Sequence, residues 1–333
     1  MSADRLEPLL SVRGLTTEFR TDAGWRAAVR DVDLEVHANE TLAIVGESGS
    51  GKSVTALSIL RLLPEAGARI ANGSCAFEGK DLVRLDEAAM QAIRGARIGM
   101  VFQEPMTALN PTMTIGNQVG EVLQRHRRLS RGEVRSETLR LLERVRLPSP
   151  ARRINDYPHQ FSGGMRQRVV IAMAIACRPA LLLADEPTTA LDVTIQAQIL
   201  RLLKELQIEH GMGMIFITHN MGVVAQIADR VAVMYAGRIV ESAPVDALFA
   251  RPRHPYTRGL LKAMPRHDRT QALEAIPGAV PSIRETIVGC AFAARCPVRV
   301  AGCEDRQPAL EAVGEKHDVR CWVAAGDVAR TLA

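Results

Sequence analysis

The chain has 333 residues, a net charge of +5, 47% hydrophobic residues and 24% charged residues. These values are typical of a soluble globular protein with two domains, or with one large domain and an appendage. No apolar run approaches the roughly 18 residues of a membrane span, and the N-terminus lacks a signal-peptide pattern, so we expect a cytosolic protein. Residues 251–333 hold 13 Lys/Arg and 9 Asp/Glu, so they carry +4 of the net charge, which is too weak for a dedicated nucleic-acid binder.

Two alternating segments near the N-terminus, Leu9 to Arg20 and Ala27 to Val36, predict strands of a small antiparallel layer. Phe19 lies in the first of them. An aromatic ring at this place could stack on a nucleotide base. A ring packed within the sheet fits the same pattern, and the sequence alone weighs the two interpretations about evenly.

The next segment, Gly46–Ser53, fits the phosphate-binding pattern G-x-x-x-x-G-K-[ST]. The apolar run Thr41–Val45 precedes it as a predicted buried strand, and a helix is predicted after it. Glycines let the backbone wrap so that N–H groups point at phosphate oxygens, and the start of the helix adds the positive end of its dipole. Lys52 is expected to reach the β- and γ-phosphates, and the Ser53 hydroxyl to hold Mg²⁺. The nucleotide ligands predicted in this loop are Gly46, Ser48, Gly49, Ser50, Gly51, Lys52 and Ser53.

After this loop, Asn72-Gly73 predicts a turn before a short strand at Ser74–Phe77. Ile98–Phe102 is the next predicted buried strand, and Gln103 follows its carboxyl end. Ligands of open α/β sheets bind beyond those ends. Gln103 is therefore placed to touch a metal ion or the attacking water.

A change of character near residue 104 predicts a helical insertion in the α/β core, extending to about residue 175. Within it Val134, Leu141, Leu142 and Val145 fall on one helix face.

The segment Ser162-Gly163-Gly164 opens a helix in this insertion, with Ser162 as a predicted N-cap. The two glycines expose backbone N–H groups at the helix start, which makes a second anion site. Because the phosphate loop already serves one nucleotide, this second site is best explained by a nucleotide held between two such chains.

Adjacent carboxylates, Asp185 and Glu186, end the predicted buried strand Leu181–Ala184. Because side chains alternate along a strand, we expect the two to point in opposite directions. Asp185 is predicted to hold the Mg²⁺ shell, and Glu186 to polarise the attacking water as general base. The strand Met214–Thr218 likewise ends in His219, where the γ-phosphate is expected, so a catalytic role is predicted for His219.

Together these motifs resemble the nucleotide-binding subunit of an ABC transporter over about residues 9–245. By this resemblance Gln103 is the Q-loop residue, Ser162-Gly163-Gly164 the signature, Asp185 and Glu186 the Walker B pair, Asp192 the D-loop residue at the nucleotide, His219 the switch histidine and Phe19 the adenine-stacking aromatic. Met165 departs from the family, which usually has Gln there. The change removes one side-chain hydrogen-bonding group and leaves the backbone donors in place.

The resemblance implies an α/β fold of the P-loop NTPase type, with a mixed sheet core, an antiparallel β subdomain and a helical subdomain at about 104–175. It implies an ATPase domain over 1–245 and a small Cys-rich C-terminal extension over 246–333. It also implies ATP, with Mg²⁺ held through Ser53, Gln103 and Asp185. Two such domains would pair head to tail, so that each ATP lies between the phosphate loop of one and the signature of the other.

The segments Tyr157–Arg168 and His254–Pro265 are similar to those of dipeptide and oligopeptide importer ATPases. The resemblance implies an ATPase that powers peptide import. Its expected partners are a second, homologous ATPase, two membrane permease subunits and an extracytoplasmic peptide-binding protein, and its expected place is the cytoplasmic face of the cell membrane.

Other functions stay open at this point. Nickel complexes and glutathione are alternative cargoes. A non-transport ABC ATPase acting on nucleic acid or ribosomes would carry two fused ATPase units or a long coiled-coil insertion, so no nucleic-acid partner is expected. The intact Glu186 and His219 argue against a redox-sensing module with a vestigial ATPase.

Four of the six cysteines cluster late in the chain, and prolines and glycines among them predict a loop-rich wrap. In a cytosolic chain such a cluster suggests a metal site more than disulfides, and four thiolates suit Zn²⁺ or an iron–sulfur cube. Interleaved arginines are expected to lower the thiol pKa values. In the importer ATPases that the chain resembles, this tail is associated with a [4Fe–4S] cluster, so the resemblance implies one here, with Zn²⁺ or no metal as the alternatives. The cysteines are Cys290, Cys296, Cys303 and Cys321, and the arginines are Arg295, Arg299, Arg306 and Arg320. Cys75 and Cys177 are expected to be buried, inert thiols.

Overall fold

A computed structural model describes residues 7–264 and 275–324 of the protein, so Pro265 of the importer-like segment and the chain ends lie outside the described residues. The strands are β1 (Leu10–Thr21), β2 (Gly24–Val36), β3 (Thr41–Val45), β4 (Ala68–Phe77), β5 (Lys80–Asp81), β6 (Ile98–Val101), β7 (Leu181–Asp185), β8 (Gly213–Thr218), β9 (Arg230–Tyr235), β10 (Arg238–Pro244), β11 (Glu311–Gly314) and β12 (His317–Val319). The helices are α1 (Lys52–Ile59), α2 (Glu87–Ile93), α3 (Pro105–Ala108), α4 (Ile115–His126), α5 (Arg131–Arg144), α6 (Pro150–Arg153), α7 (Gly163–Ile175), α8 (Val193–His210), α9 (Met221–Ile227), α10 (Val245–Ala250) and α11 (Pro255–Lys262). In this part of the chain no helix is long and apolar enough to cross a membrane.

The chain folds as two compact units. The first contains His37–Glu40 and Arg84–Phe216. The second contains Leu10–Val36, Thr41–Val83 and the described residues from Ile217 onward.

One sheet of the second unit is antiparallel, with strand order β2-β1-β4-β5. This is the antiparallel layer predicted from the alternating segments. The turn predicted at Asn72-Gly73 is wrong, because both residues lie inside β4. Gly73 has a φ of 101°, and the pairing with β1 shifts register between Arg13 and Thr16. Two residues of β1, Gly14 and Leu15, lie opposite the single residue Gly73, so the left-handed backbone of this glycine lets β4 continue opposite a bulge in β1.

The larger sheet of the second unit is mixed. Strand β3 runs parallel to β9, and β9, β10, β12 and β11 follow in antiparallel order. All five residues of β3 are buried, which explains its uninterrupted apolar sequence. Strands β11 and β12 come from the tail for which only a loop-rich wrap was predicted, so the C-terminal extension also contributes a short hairpin to this sheet.

The first unit pairs β6 with β7 in parallel, with Val101 opposite Ala184. Helices α3 to α7 follow β6 in the chain, as the predicted helical insertion requires. The predicted apolar face of α5 is confirmed, because Val134, Leu141 and Leu142 are buried, as is Val145 at its C-cap.

Candidate nucleotide site and C-terminal extension

The predicted phosphate loop connects β3 to α1 in the second unit. Its backbone passes so close to β9 that a Cβ on Gly46 would lie 2.2 Å from the Met234 carbonyl oxygen. Only glycine fits that approach. Lys52 is buried, and its Nζ donates hydrogen bonds to the carbonyl oxygens of Gly46 (2.8 Å) and Glu47 (2.9 Å). The lysine ammonium thus lies within the curve of the loop, and α1 starts at the loop without a side-chain cap.

Two other predicted site residues belong to the same unit. Phe19 is half-buried on β1, opposite Arg26 on β2 and Ala68 on β4. His219 is exposed and directly follows β8, as the sequence predicted. The next residue, Asn220, caps α9 through its side chain.

In the first unit, Gln103 and the carboxylate pair lie at or just beyond the carboxyl ends of two neighbouring parallel strands. Gln103 is exposed two residues after β6, whereas Asp185 is the last residue of β7 and is 5% exposed. The expected strand alternation does not apply to Glu186, because β7 has ended and Glu186 has a φ of 46°. Its carboxylate accepts a hydrogen bond from the Thr189 hydroxyl at 2.8 Å. The directions of the Asp185 and Glu186 carboxylates are therefore set by the left-handed backbone at Glu186 and not by the alternation of a pleated strand.

The signature segment begins α7, and Ser162 caps this helix as predicted by accepting a hydrogen bond from Met165 N at 3.4 Å. A Cβ on Gly164 would lie 2.6 Å from Cγ2 of Ile195 on α8. Asp192 in turn caps α8 by accepting a hydrogen bond from Ile195 N at 2.9 Å. The signature and the predicted D-loop residue are therefore neighbouring helix starts joined through Ile195.

A glutamate inside the phosphate loop escaped the sequence analysis. The backbone N–H of Glu47 donates to the Tyr256 hydroxyl oxygen at 2.8 Å. Its carboxylate receives two hydrogen bonds from the Arg295 guanidinium, at 2.6 and 3.0 Å. The partners lie 209 and 248 residues away in sequence, so no local pattern marks Glu47. Its position as the residue after the first glycine of the loop was the one available signal.

The start of α11 is fixed by buried polar groups. His254 is buried, and its Nδ1 accepts a hydrogen bond from Tyr256 N at 3.1 Å. Burial lowers the pKa of His254 to about 3, so the ring is neutral at pH 7. The buried carboxylate of Glu241 on β10 accepts from the backbone N–H groups of Arg253 (2.7 Å) and His254 (2.9 Å), and it pairs with His317 of β12 (2.7 Å).

Three of the four late cysteines have thiols whose pKa values are raised. Burial raises the pKa of the Cys290 thiol to about 11, with smaller contributions from Cys321, Cys303 and Cys296. Burial also raises the pKa values of Cys296 and Cys321. The backbone N–H of Cys290 donates to the Cys303 carbonyl at 2.7 Å. Within residues 7–264 and 275–324, no group of three or more His, Cys, Asp and Glu side chains meets the geometry for holding a metal ion.

The expectation that the interleaved arginines lower the thiol pKa values holds only for Arg299 and Cys296, and there burial outweighs it. Arg295 is turned toward Glu47, and Arg320 donates to backbone carbonyl oxygens. Arg299 pairs with Glu304 at 2.7 Å, and its lowering effect on the pKa of Cys296 is smaller than the rise caused by burial. Of the two isolated cysteines, Cys75 is buried, with a pKa raised to about 12, whereas Cys177 is half-buried.

Two family models match the chain. The first, described as ABC transporter, matches residues 29–189. The second, described as the C-terminal region of oligopeptide/dipeptide transporters, matches residues 240–303. The first match covers the phosphate loop, the signature and the carboxylate pair, and the second covers three of the clustered cysteines.

Curated relatives match over nearly the whole chain. An ATP-binding protein of Brucella ovis named for peptide import is 56% identical, over 95% of this chain and 97% of its own. The dipeptide transport ATP-binding protein DppD of Bacillus subtilis is 52% identical, over 96% of this chain and 95% of its own. Among solved structures, the ATP-binding cassette MJ0796, captured as a dimer in a post-hydrolysis state with ADP and Pi, is 30% identical with a TM-score of 0.64, over 71% of this chain and 98% of its own.

Proposed function

Because this chain belongs to the ABC transporter family of ATP-binding proteins, we propose that it is the ATP-hydrolysing subunit that powers import of dipeptides and oligopeptides through a membrane transporter. The observation that carries the proposal is the union, in one chain, of the ABC transporter match and the C-terminal region of oligopeptide/dipeptide transporters. The ATPase domain is assigned to residues 1–245, with its helical subdomain at about 104–175, and the extension to residues 246–333.

ATP is bound through its phosphates by the loop Gly46–Ser53. Backbone N–H groups of the loop, except that of Glu47, and the start of α1 would face the phosphates, and Lys52 would supply the cationic contact to the β- and γ-phosphates. The Lys52 ammonium already lies inside the curve of the loop on two carbonyl oxygens, which supports this role. Phe19 stacks on the adenine ring, for which its half-buried position on β1 leaves part of the ring accessible.

Ser53, Gln103 and Asp185 would hold Mg²⁺, because hydroxyl, amide and carboxylate oxygens suit this hard cation. When bound, Mg²⁺ neutralises negative charge on the phosphates. Glu186 accepts a proton from the attacking water as general base, and His219 donates a hydrogen bond to the γ-phosphate. The hydrogen bond from Thr189 to the Glu186 carboxylate supports an oriented base.

The signature Ser162-Gly163-Gly164 and Asp192 act on the nucleotide of a second ATPase subunit. Their support is the shared helix-start arrangement of α7 and α8, whose N–H groups favour an anion. The working assembly is a head-to-tail pair with a homologous ATPase, two membrane permease subunits and an extracytoplasmic peptide-binding protein, with the pair at the cytoplasmic face of the cell membrane. The dimeric cassette MJ0796 supports the pairing.

The cysteines Cys290, Cys296, Cys303 and Cys321 would supply the ligands of a [4Fe–4S] cluster, although in the described residues their side chains do not stand in a metal-holding arrangement. Their support is the occurrence of four cysteines within 32 residues of the extension and the hydrogen bond from the Cys290 backbone N–H to the Cys303 carbonyl oxygen at 2.7 Å. A bound iron–sulfur cluster would offset the cost of deprotonating thiols whose pKa values are raised, and it would cross-link the extension.

Iron and acid-labile sulfide assays on anaerobically purified protein test the cluster. We expect brown protein that contains both, loss of both in Cys290→Ser, and retention in the control Cys177→Ser. Colourless protein that contains zinc, or that contains neither iron nor zinc, would contradict the assignment.

The chemistry is tested by Glu186→Gln in the assembled transporter. We expect this variant to bind Mg²⁺-ATP with wild-type affinity and to hydrolyse it at least about 100-fold more slowly, because general-base catalysis contributes on the order of 10²–10⁴-fold. The control Thr189→Ala removes only the hydroxyl that orients the base and should be impaired less. Wild-type hydrolysis by Glu186→Gln would overturn the assignment.

A further inference from the structure

Glu47 has all three of its polar groups engaged. Its N–H donates to the Tyr256 hydroxyl (2.8 Å), its carbonyl oxygen accepts from the Lys52 ammonium (2.9 Å), and its carboxylate takes the bidentate pair from Arg295 (2.6 and 3.0 Å). Because its N–H is directed to a tyrosine, this residue is a fixed support of the phosphate loop rather than a donor to phosphate. Two of its three partners come from the C-terminal extension.

Both extension partners are themselves held rigidly. The Arg295 side chain is 6% exposed, and it also donates to the Tyr235 hydroxyl (3.3 Å) and to the carbonyl oxygens of Pro277 (2.8 Å) and Ile276 (3.2 Å). Tyr256 is fully buried. A bidentate arginine–carboxylate pair fixes direction as well as distance, so the geometry leaves Glu47 little freedom.

An aromatic cluster of Tyr235, Tyr256 and Phe292 packs against these contacts. The Tyr256 ring lies 4.6 Å from the Tyr235 ring and 5.4 Å from the Phe292 ring, measured between centroids. Tyr235 and Phe292 are 5.3 Å apart in an edge-to-face arrangement, a geometry that aromatic pairs favour. Phe292 and Arg295 both lie between Cys290 and Cys296, so the cysteine-bearing segment reaches the phosphate loop through this cluster.

The position of Glu47 links it to the ligand-binding lysine. Lys52 is held by the carbonyl oxygens of Gly46 and Glu47, and the peptide unit between these two residues carries the N–H that Tyr256 accepts. A shift of this peptide therefore moves the carbonyl oxygens that hold the Lys52 ammonium group. The backbone at Gly46 is also in close approach to β9, so the loop has few alternative ways to relax.

We propose that Arg295 and Tyr256 are positioning residues that hold the phosphate loop in its nucleotide-binding conformation through Glu47, so that the C-terminal extension sets the affinity of this chain for Mg²⁺-ATP. The inference rests on the proposed function, in which this loop binds ATP. It gives the extension a role in the ATP site of its own chain. An extension that merely packs against the domain would contribute to stability and leave nucleotide affinity unchanged.

A double-mutant cycle on the full-length chain tests the inference, with a fluorescent ATP analogue and Mg²⁺ as the probe. We expect Arg295→Ala and Glu47→Ala each to weaken binding about tenfold, the scale of one charge-assisted contact. The double variant should be no weaker than either single variant, because Arg295 acts through Glu47. Tyr256→Phe, which removes only the hydroxyl, should weaken binding a few-fold, and Arg295→Lys should recover part of the loss.

The matched control is Arg299→Ala, which removes an exposed arginine of the same extension whose partner is Glu304, and it should keep wild-type affinity. Wild-type affinity in Arg295→Ala, or an equal further loss when Arg295→Ala is added to Glu47→Ala, would overturn the inference. If alanine variants fail to fold, Tyr256→Phe and Glu47→Gln decide by the same criterion. Lys52→Ala tests the proposed function separately, because undiminished ATP binding in that variant would refute the site itself.

Discussion

Gly164 illustrates how single residues of the signature are fixed by packing. A Cβ at this position would lie 2.6 Å from Cγ2 of Ile195, a distance that real side chains do not tolerate. The glycine therefore allows α7 and α8 to start side by side. Its role in this chain is steric, in addition to any N–H that it offers to an anion.

We expect Gly164→Ala to destabilise the protein by about 1–3 kcal/mol, the usual cost of overpacking. The midpoint of urea unfolding measures the change. Gly132→Ala is the matched control, because a Cβ there on α5 meets nothing within 4 Å and alanine is the better helix former, so its midpoint should stay or rise. An unfolding midpoint equal to that of the wild type in Gly164→Ala would contradict this prediction, because it would mean that Ile195 of α8 moves aside at little cost.

Single residues were predicted from the sequence where their role depends on local pattern. Ser162 as a helix cap and Asp185 at a strand end needed only their immediate neighbours, and both occur where the pattern placed them. Glu186 does not follow the expected alternation of side chains, because its φ of 46° takes it out of the strand. Side chains alternate only within the pleated part of a strand. Glu47 was missed because its contacts depend on how distant segments fold together.

Helix α11 shows a buried histidine used as a structural cap. His254 Nδ1 accepts a backbone hydrogen bond at the helix start, which requires an unprotonated ring nitrogen. Burial lowers the pKa of His254 to about 3, a nearby Arg258 lowers it further, and a backbone hydrogen bond with Arg320 opposes the shift. Protonation would both charge a buried ring and remove the cap.

This histidine makes stability depend on pH in a definite direction. Unfolding restores a pKa of about 6.5, so below that pH the unfolded chain takes up a proton that the folded chain refuses until about pH 3. The contribution of this group to the free energy of unfolding is complete above about pH 6.5. It decreases as the pH is lowered below that value, by at most about 1.4 kcal/mol per pH unit.

Urea unfolding at pH 7 and pH 5.5 measures this dependence. We expect His254→Asn, which keeps a capping acceptor, to lose part of the difference between the two pH values. The exposed residue His159 provides the control, because His159→Asn should keep the wild-type dependence. If the pH dependence of unfolding were unchanged in His254→Asn, His254 would take up its proton as readily in the folded protein as in the unfolded chain, which would contradict the account.

Elements with strong local signals were predicted well, and weak ones were not. The buried strand β3 and the amphipathic helix α5 follow from uninterrupted apolar sequence and from helical periodicity. Strands β11 and β12 have four and three residues, and β12 pairs with β10, whose residues lie more than 70 positions earlier. So short a pattern with so distant a partner leaves no usable periodicity.

The whole chain combines two kinds of information about function. Within the second unit, the phosphate loop and the C-terminal extension meet at Glu47, which joins the proposed ATP site to the region that matches oligopeptide/dipeptide transporters. The first unit separately supplies the signature, the carboxylates and Gln103. Motif order in the sequence was enough to predict the family, whereas the link between loop and extension required three-dimensional contacts.

The most direct test of the central claim is uptake of a labelled dipeptide by vesicles that contain the assembled transporter, with this chain as an ATPase subunit. We expect peptide accumulation that requires ATP on the side of this subunit, and hydrolysis that rises when peptide and its binding protein are present. With Glu186→Gln, Mg²⁺-ATP should still bind while both uptake and hydrolysis are lost. Accumulation that persists at the wild-type rate in Glu186→Gln, or hydrolysis that does not respond to peptide, would contradict the claim that this chain powers peptide import.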